Sequence, residues 1–206
     1  MEKLIDMVEE FLKLTKNIEY KNHGIMPMEA FSLYKYCRDN KIDVLLESGT
    51  ANGYSTELLG NLLPDVTIYT IDMTNLYGPD TQKNTQERLS YLSNVNFVIG
   101  DSVSILPKLI EQCKNNRIGV FIDGPKGNTA LLLANEVIKY SNVLFVGCHD
   151  LHISDNNTYC PNLDEDFTKK YKFLDDEVVK LPTPKDNNIT IGQKWPKGMG
   201  IIFKTS

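Results

Sequence analysis

The sequence is poor in the features that mark several functional classes. Its four cysteines, Cys37, Cys113, Cys148 and Cys160, form no CxxC pair and alternate with no histidines, so neither a zinc site nor a disulfide framework is indicated. They read as reduced thiols of a cytoplasmic protein. No apolar run is long enough for a membrane span, and the opening MEKLIDMVEEFLKL mixes acids with apolar residues, unlike a secretory signal. Positive charge is in the minority: 22 Lys and Arg against 27 Asp and Glu leave a net charge of -5. That balance argues against a phosphate-neutralising surface and so against nucleic acid as the main partner. Repeats and low-complexity tracts are missing too. What remains is an ordinary globular mixture, 41% hydrophobic and 24% charged, sufficient for one substantial core. Residues 1–206 are therefore read as one domain, with N-terminal helices over 1–42 and a core over 43–206.

Leu4, Met7, Val8, Phe11 and Leu12 recur at three- and four-residue intervals, the pattern of an amphipathic helix, and a second helix is expected after Pro27. The first of these helices packs across the sheet edge, roofs a pocket or forms a homodimer contact. From Asp43 the rhythm changes to short Val-, Ile- and Leu-rich runs alternating with longer amphipathic stretches. Strands are expected at 43–48, 66–72, 95–101, 118–124 and 143–150, each ending on or beside an acid. The stretches between them serve as right-handed helical crossovers. The expected fold class is α/β: a doubly wound, mostly parallel seven-stranded sheet with helices on both faces. A charged amphipathic helix is expected from near Asp164, further strands at 177–181 and 200–204, and a long irregular connection between the latter two.

In such a sheet ligands bind beyond the carboxyl ends of the strands, near the point where strand order reverses. The first strand-to-helix turn, ESGTANGYS, places Gly49 and Gly53 around a tight bend after Glu47. A dinucleotide fingerprint anchored on Gly49 would also need glycine at 51 and 54, where Ala51 and Tyr54 stand. This disfavours a pyrophosphate-bearing ligand such as NAD. S-adenosylmethionine (SAM) has no pyrophosphate and makes no such demand. Asp72, nineteen positions after Gly53, ends the second strand where a carboxylate can accept from both ribose hydroxyls. Asp101 ends the third, where it can accept from an adenine amino group, and Ser102 opens the next helix.

ESGTANGYS, IYTIDM, VIGDSVSIL and FIDGPKG stand in the order and spacing of the class I SAM-dependent methyltransferases, and the pattern resembles that family over roughly 43–150. The resemblance implies a Rossmann-like methyltransferase fold, with Glu47, Gly49, Gly53, Asp72, Asp101 and Ser102 as cofactor residues. The family's first loop usually has glycine where Ala51 stands.

Within that family, FIDGPKGN and FVGCHDLH are similar to small-molecule O-methyltransferases of the catechol and caffeoyl-CoA type. That similarity implies a small hydroxylated acceptor, Asp123 and Asp150 as ligands of Mg2+ or another divalent ion, and Asp123 with Lys126 as catalytic groups. Leu151 replaces the expected asparagine, leaving His149, His152 and Asp155 as alternatives for a third ligand. Methyl transfer is an in-line displacement that depends mainly on holding the acceptor oxygen against the methyl group. A metal would lower the acceptor's pKa, and a neutral Lys126 could take its proton.

Each of these residues also has a purely structural reading. Asp123 suits a turn in DGPKG, Lys126 a solvated surface, and His149 and His152 structural hydrogen bonds. Trp195 and Tyr159 cover an acceptor or anchor a loop. Two other functions stand beside the metal-assisted one: a metal-free methyltransferase using Lys126 or His152 as base, and a binding module that keeps the cofactor pocket without catalysis.

Overall fold

A computed structural model describes residues 2–16, 25, 27–73, 80–151, 171–173 and 198–203. Six helices and seven strands lie within these residues: α1 Glu2–Thr15, α2 Pro27–Asp39, β1 Val44–Ser48, α3 Tyr54–Leu62, β2 Thr67–Asp72, α4 Thr81–Arg88, β3 Val95–Ile99, α5 Ser102–Gln112, β4 Ile118–Ile122, α6 Asn128–Val137, β5 Val143–Leu151, β6 Tyr171–Phe173 and β7 Gly198–Phe203. They form one sheet in the order β3-β2-β1-β4-β5-β7-β6. β1 to β5 run parallel, while β7 is antiparallel to both β5 and β6. Strand order reverses between β1 and β4, which pair from Val44↔Ile118 to Ser48↔Ile122.

Period-2 alternation explains why helices cover both faces. Leu45, Ile68, Phe121 and Phe145 point to one side, into a core shared with Phe11 of α1, Phe31, Leu33 and Tyr34 of α2, and Leu58 and Leu59 of α3. Their neighbours Val44, Leu46, Val120, Ile122 and Val146 point to the other, against Leu106, Leu109 and Ile110 of α5 and Leu133 and Val137 of α6. β1 and β4 are buried throughout, whereas β3 at the sheet edge is largely half-buried or exposed. Among the described residues no helix is long and apolar enough to cross a membrane. Among the described residues Cys37, Cys113 and Cys148 form no disulfide, and burial pushes the pKa of the Cys37 thiol up.

The five expected parallel strands are present with small shifts at their ends. β3 stops at Ile99 because Gly100, at φ 145°, turns the chain and Asp101 becomes the cap of α5. β4 stops at Ile122, leaving Asp123 in the following turn. Between the helix expected from Asp164 and the strand expected at 177–181, the sheet takes up Tyr171–Phe173, which pair with Ile202 to Gly200 of β7. The strand-prone Tyr and Phe here are held by a partner far away in sequence, which local periodicity cannot reveal. Residues 164–170, 177–181, Cys160, His152, Asp155, Tyr159 and Trp195 lie outside the described residues.

Gly119, in the middle of β4, has no room for a side chain. A Cβ there would stand 2.6 and 2.7 Å from ring carbons of the fully buried Phe145. Gly119→Ala should therefore destabilise the protein by about 1–3 kcal/mol through overpacking, measured by chemical denaturation. Phe145→Leu in the same chain should recover part of that loss, and strict additivity of the two changes would contradict the packing account.

Candidate functional site

The site grows from the place where β1 and β4 part. Asp123 N and Gly124 N both donate to Ser48 O, at 2.8 and 2.9 Å, and Ser48 Oγ donates to Gly124 O. Gly49 then adopts φ 102°, and a Cβ on it would lie 2.8 Å from Gly124 N. Glycine is thus required twice over at 49, by backbone conformation and by the facing strand tip. Gly49 N also donates to Ile71 O at 2.8 Å, so the bend is tied to β2 as well.

Ala51 occupies the left-handed region at φ 44°, unusual for a residue with a Cβ. Its N–H donates to Asp72 Oδ2 at 2.5 Å, while Asp72 Oδ1 accepts from Met73 N at 2.7 Å. The carboxylate that ends β2 therefore holds the bend that follows β1. Gly53, at φ 71°, opens α3, and a Cβ on it would run into Thr85 of α4 and Leu89 at the end of that helix. From the same helix Arg88 donates to Asn52 O at 2.7 Å, pairs with Glu57 and lies over the Tyr54 ring at 5.7 Å.

Glu47, expected at the cofactor, lies beneath the bend. It is fully buried and accepts from Ser55 Oγ and Thr56 Oγ1, both at 2.5 Å. Thr70 Oγ1 joins this polar cluster, 2.6 Å from Thr50 Oγ1 and 3.4 Å from Thr56 Oγ1. The carboxylate is sealed from the crevice by the hydroxyls that satisfy it. Burial pushes its pKa up to about 6, helped by the charge of Asp123 and opposed by the hydroxyl hydrogen bonds.

Asp101 caps α5, accepting from Val103 N at 3.1 Å and Ser104 Oγ at 3.3 Å, yet it remains exposed. Ser102 is buried as the first residue of α5. Asp72 lines a narrow crevice with Thr50, Thr70, Thr85 and Ile99, and Asp101 stands outside that lining. Three apolar side chains are left open around the tips of β2 and β3: Met73 is 48% exposed, Ile99 56% and Val103 43%. An apolar ring laid there would cover them, while Asp72 and Asp101 retain lone pairs for hydroxyl and amino donors.

On the far side of the reversal point, Asp123 holds Lys126 and His149. Lys126 Nζ pairs with Asp123 Oδ1, and His149 Nδ1 lies 2.6 Å from the same oxygen. His149 Nε2 is 3.0 Å from Oε2 of Glu29, a buried residue in the first turn of α2. Burial alone would push the Asp123 pKa up, but the hydrogen bond and charge of His149, with those of Lys126, hold it below the usual carboxylate range. The side chain of Asp150 lies outside the described residues.

Lys126 is exposed and pairs with the Asp123 carboxylate. Of the groups expected to hold a divalent ion, the side chain of Asp150 and all of His152 and Asp155 lie outside the described residues. Cationic and N–H donors already stand at Asp123 Oδ1, and no group of three His, Cys, Asp or Glu among the described residues is arranged to hold a metal. Glu29 escaped the sequence reading because an acid in a helix's first turn is amply explained by the helix dipole.

Because the Glu47 pKa is raised, its stabilising contribution is fully present below pH 4.5, where it is protonated in either state, and is lost as pH rises through about 6. The stability of the natural chain relative to Glu47→Gln should therefore fall by about 2 kcal/mol between pH 4.5 and 7. Urea denaturation at both pH values measures it, and a flat difference would mean Glu47 is not buried as described.

No protein-family model matches the sequence, and no curated protein matches it. Solved structures do. A candidate O-methyltransferase from Klebsiella pneumoniae is 17% identical, with 97% of this chain and 90% of that one covered and a TM-score of 0.59. The O-methyltransferase from Bacillus cereus in complex with SAH is 18% identical, with 97% and 91% covered and a TM-score of 0.56. Cofactor-bound Rv0187 from MTB is 16% identical, with 96% and 89% covered and a TM-score of 0.54. At these identities the likeness is one of architecture: this chain has the fold of the SAM-dependent O-methyltransferases.

Proposed function

We propose that this protein transfers the methyl group of SAM to a hydroxyl oxygen of a small acceptor. One observation carries the reading: a carboxylate at the tip of β2 braces a left-handed bend after β1, beside exposed apolar residues and the reversal point of the sheet. That is the arrangement a nucleoside with an amino-acid tail requires. The similar O-methyltransferase from Bacillus cereus is in complex with SAH, which supports the same ligand here.

In this reading Asp72 accepts from the ribose hydroxyls, the bend from Gly49 to Gly53 lies along the methionine part, and Asp101 and the start of α5 meet the adenine edge. Met73, Ile99 and Val103 cover its faces. Glu47 acts from below, positioning α3 through Ser55 and Thr56. When bound, SAM supplies a methyl group on a sulfonium sulfur: the C–S bond breaks as the acceptor oxygen forms the new O–C bond, and S-adenosylhomocysteine leaves with the electron pair.

Lys126 and Asp123 receive the acceptor across the reversal point. The ammonium of Lys126 attracts an acceptor oxygen that has given its proton to solvent, so its task is orientation and charge stabilisation. Asp123, with its lowered pKa, keeps that ammonium in place and is a poor base. The N-terminal helices and the core work as one catalytic unit, since Glu29 of α2 meets His149 of β5.

Calorimetry with SAM tests the reading. Wild type should bind, and Asp72→Ala should lose roughly 10–150-fold in affinity, the worth of a hydrogen bond to a charged group. Methyl-labelled SAM should pass label to a phenolic acceptor. Wild type that binds no SAM, or an Asp72→Ala variant that binds it equally well, would overturn the assignment.

A further inference from the structure

The geometry points to a Glu29–His149–Asp123 bridge, in place of a divalent ion, as the element that organises the acceptor side of this site. Glu29 and His149 are then positioning residues. The inference rests on the methyltransferase reading for the meaning of "acceptor side", but the bridge itself stands on the contacts alone.

Both ring nitrogens of His149 face carboxylate oxygens, at 2.6 Å to Asp123 Oδ1 and 3.0 Å to Glu29 Oε2. Each such N···O pair needs a proton between its atoms, whichever atom carries it, because two lone pairs at that separation repel. Neither nitrogen therefore offers a lone pair to a metal. The three groups lie in a line through the imidazole rather than around a common point. A hard cation on Asp123 Oδ1 would have to sit about 2.0–2.6 Å from it, in space that His149 and the Lys126 ammonium already share.

The bridge does mechanically what a metal would do. It fixes the Asp123 carboxylate, and through it the Lys126 ammonium, against β5 and α2. His149 is nearly buried, its side chain only 14% exposed, and its ring meets that of Phe121 edge-on at 6.2 Å, which fixes its plane. Since no metal acidifies the acceptor, the site selects hydroxyls that are already acidic, phenols or enols rather than aliphatic alcohols.

Four measurements on the full chain test this. In long-range proton–nitrogen NMR spectra of the histidines, Glu29→Gln should shift Nε2 of His149 and Asp123→Asn should shift Nδ1. Manganese titration followed by electron paramagnetic resonance should show no ion held by the wild type. Methyl transfer from SAM to a phenol should persist in excess chelator. Glu29→Ala should lower kcat by roughly tenfold or more while leaving the SAM dissociation constant unchanged, with Glu29→Gln recovering most of the rate. If Glu29→Ala fails to fold, Glu29→Gln carries the spectroscopic test alone.

Manganese binding that vanishes in Asp123→Asn, or transfer that stops with chelator, would overturn the bridge in favour of a metal. So would His149 resonances that ignore both substitutions. Failure of wild type to bind SAM would instead remove the methyltransferase reading, and the NMR and manganese results would still decide the bridge.

Discussion

Between the tips of β1 and β4 two backbones approach so closely that the chain can continue past them only through glycine. Ser48 O accepts from two successive amides of the facing turn, and Gly49 sits where a methyl group would strike Gly124 N. The contact fixes the direction in which β1 releases its chain, and with it the bend that α3 follows. It also sets Asp123 at a defined height beside that bend. The two halves of the proposed site, cofactor side and acceptor side, are thus built on one backbone junction. Parallel strands reversing their order at this point leave a crevice above it, as the doubly wound topology requires.

Buried polarity maintains the junction. Glu47, Thr50, Ser55, Thr56 and Thr70 form a hydrogen-bonded layer under the bend, in a part of the core where apolar packing would leave the loop free to choose among conformations. A carboxylate at that depth is unfavourable in itself, which its raised pKa expresses, and the hydroxyls around it offset the loss only in part. The compensation is positional: α3 begins where Glu47 holds it. Arg88 supplies the complementary restraint from outside, gripping Asn52 O and the Tyr54 ring. A bend containing one non-glycine residue at positive φ is kept in place by partners on every side.

The acceptor side uses charge differently. There the ionisable groups form a chain running from α2 through β5 to the turn after β4. The N-terminal helices are consequently more than a cover for the sheet. Phe11, Phe31 and Tyr34 anchor α1 and α2 on the core face that Phe121 and Phe145 present, and that packing delivers Glu29 to His149.

Much of this architecture was legible in the residues themselves. Alternating apolar runs and amphipathic stretches specify parallel strands and crossover helices because burial on both faces admits no other pattern, and all five central strands follow it. Gly49, Gly53, Asp72, Asp101 and Asp123 could be singled out because strand ends and tight bends impose local, short-range demands on residue type. The roles that only the folded chain decided involve partners distant in sequence. Glu47 lies beneath the bend because α3 folds back over it, and Lys126 is paired because Asp123 turns towards it. Glu29 enters the site across 120 positions of chain. Periodicity reports which face of an element is buried, but which side chains meet is set by how the faces pack, and that is a property of the tertiary structure alone.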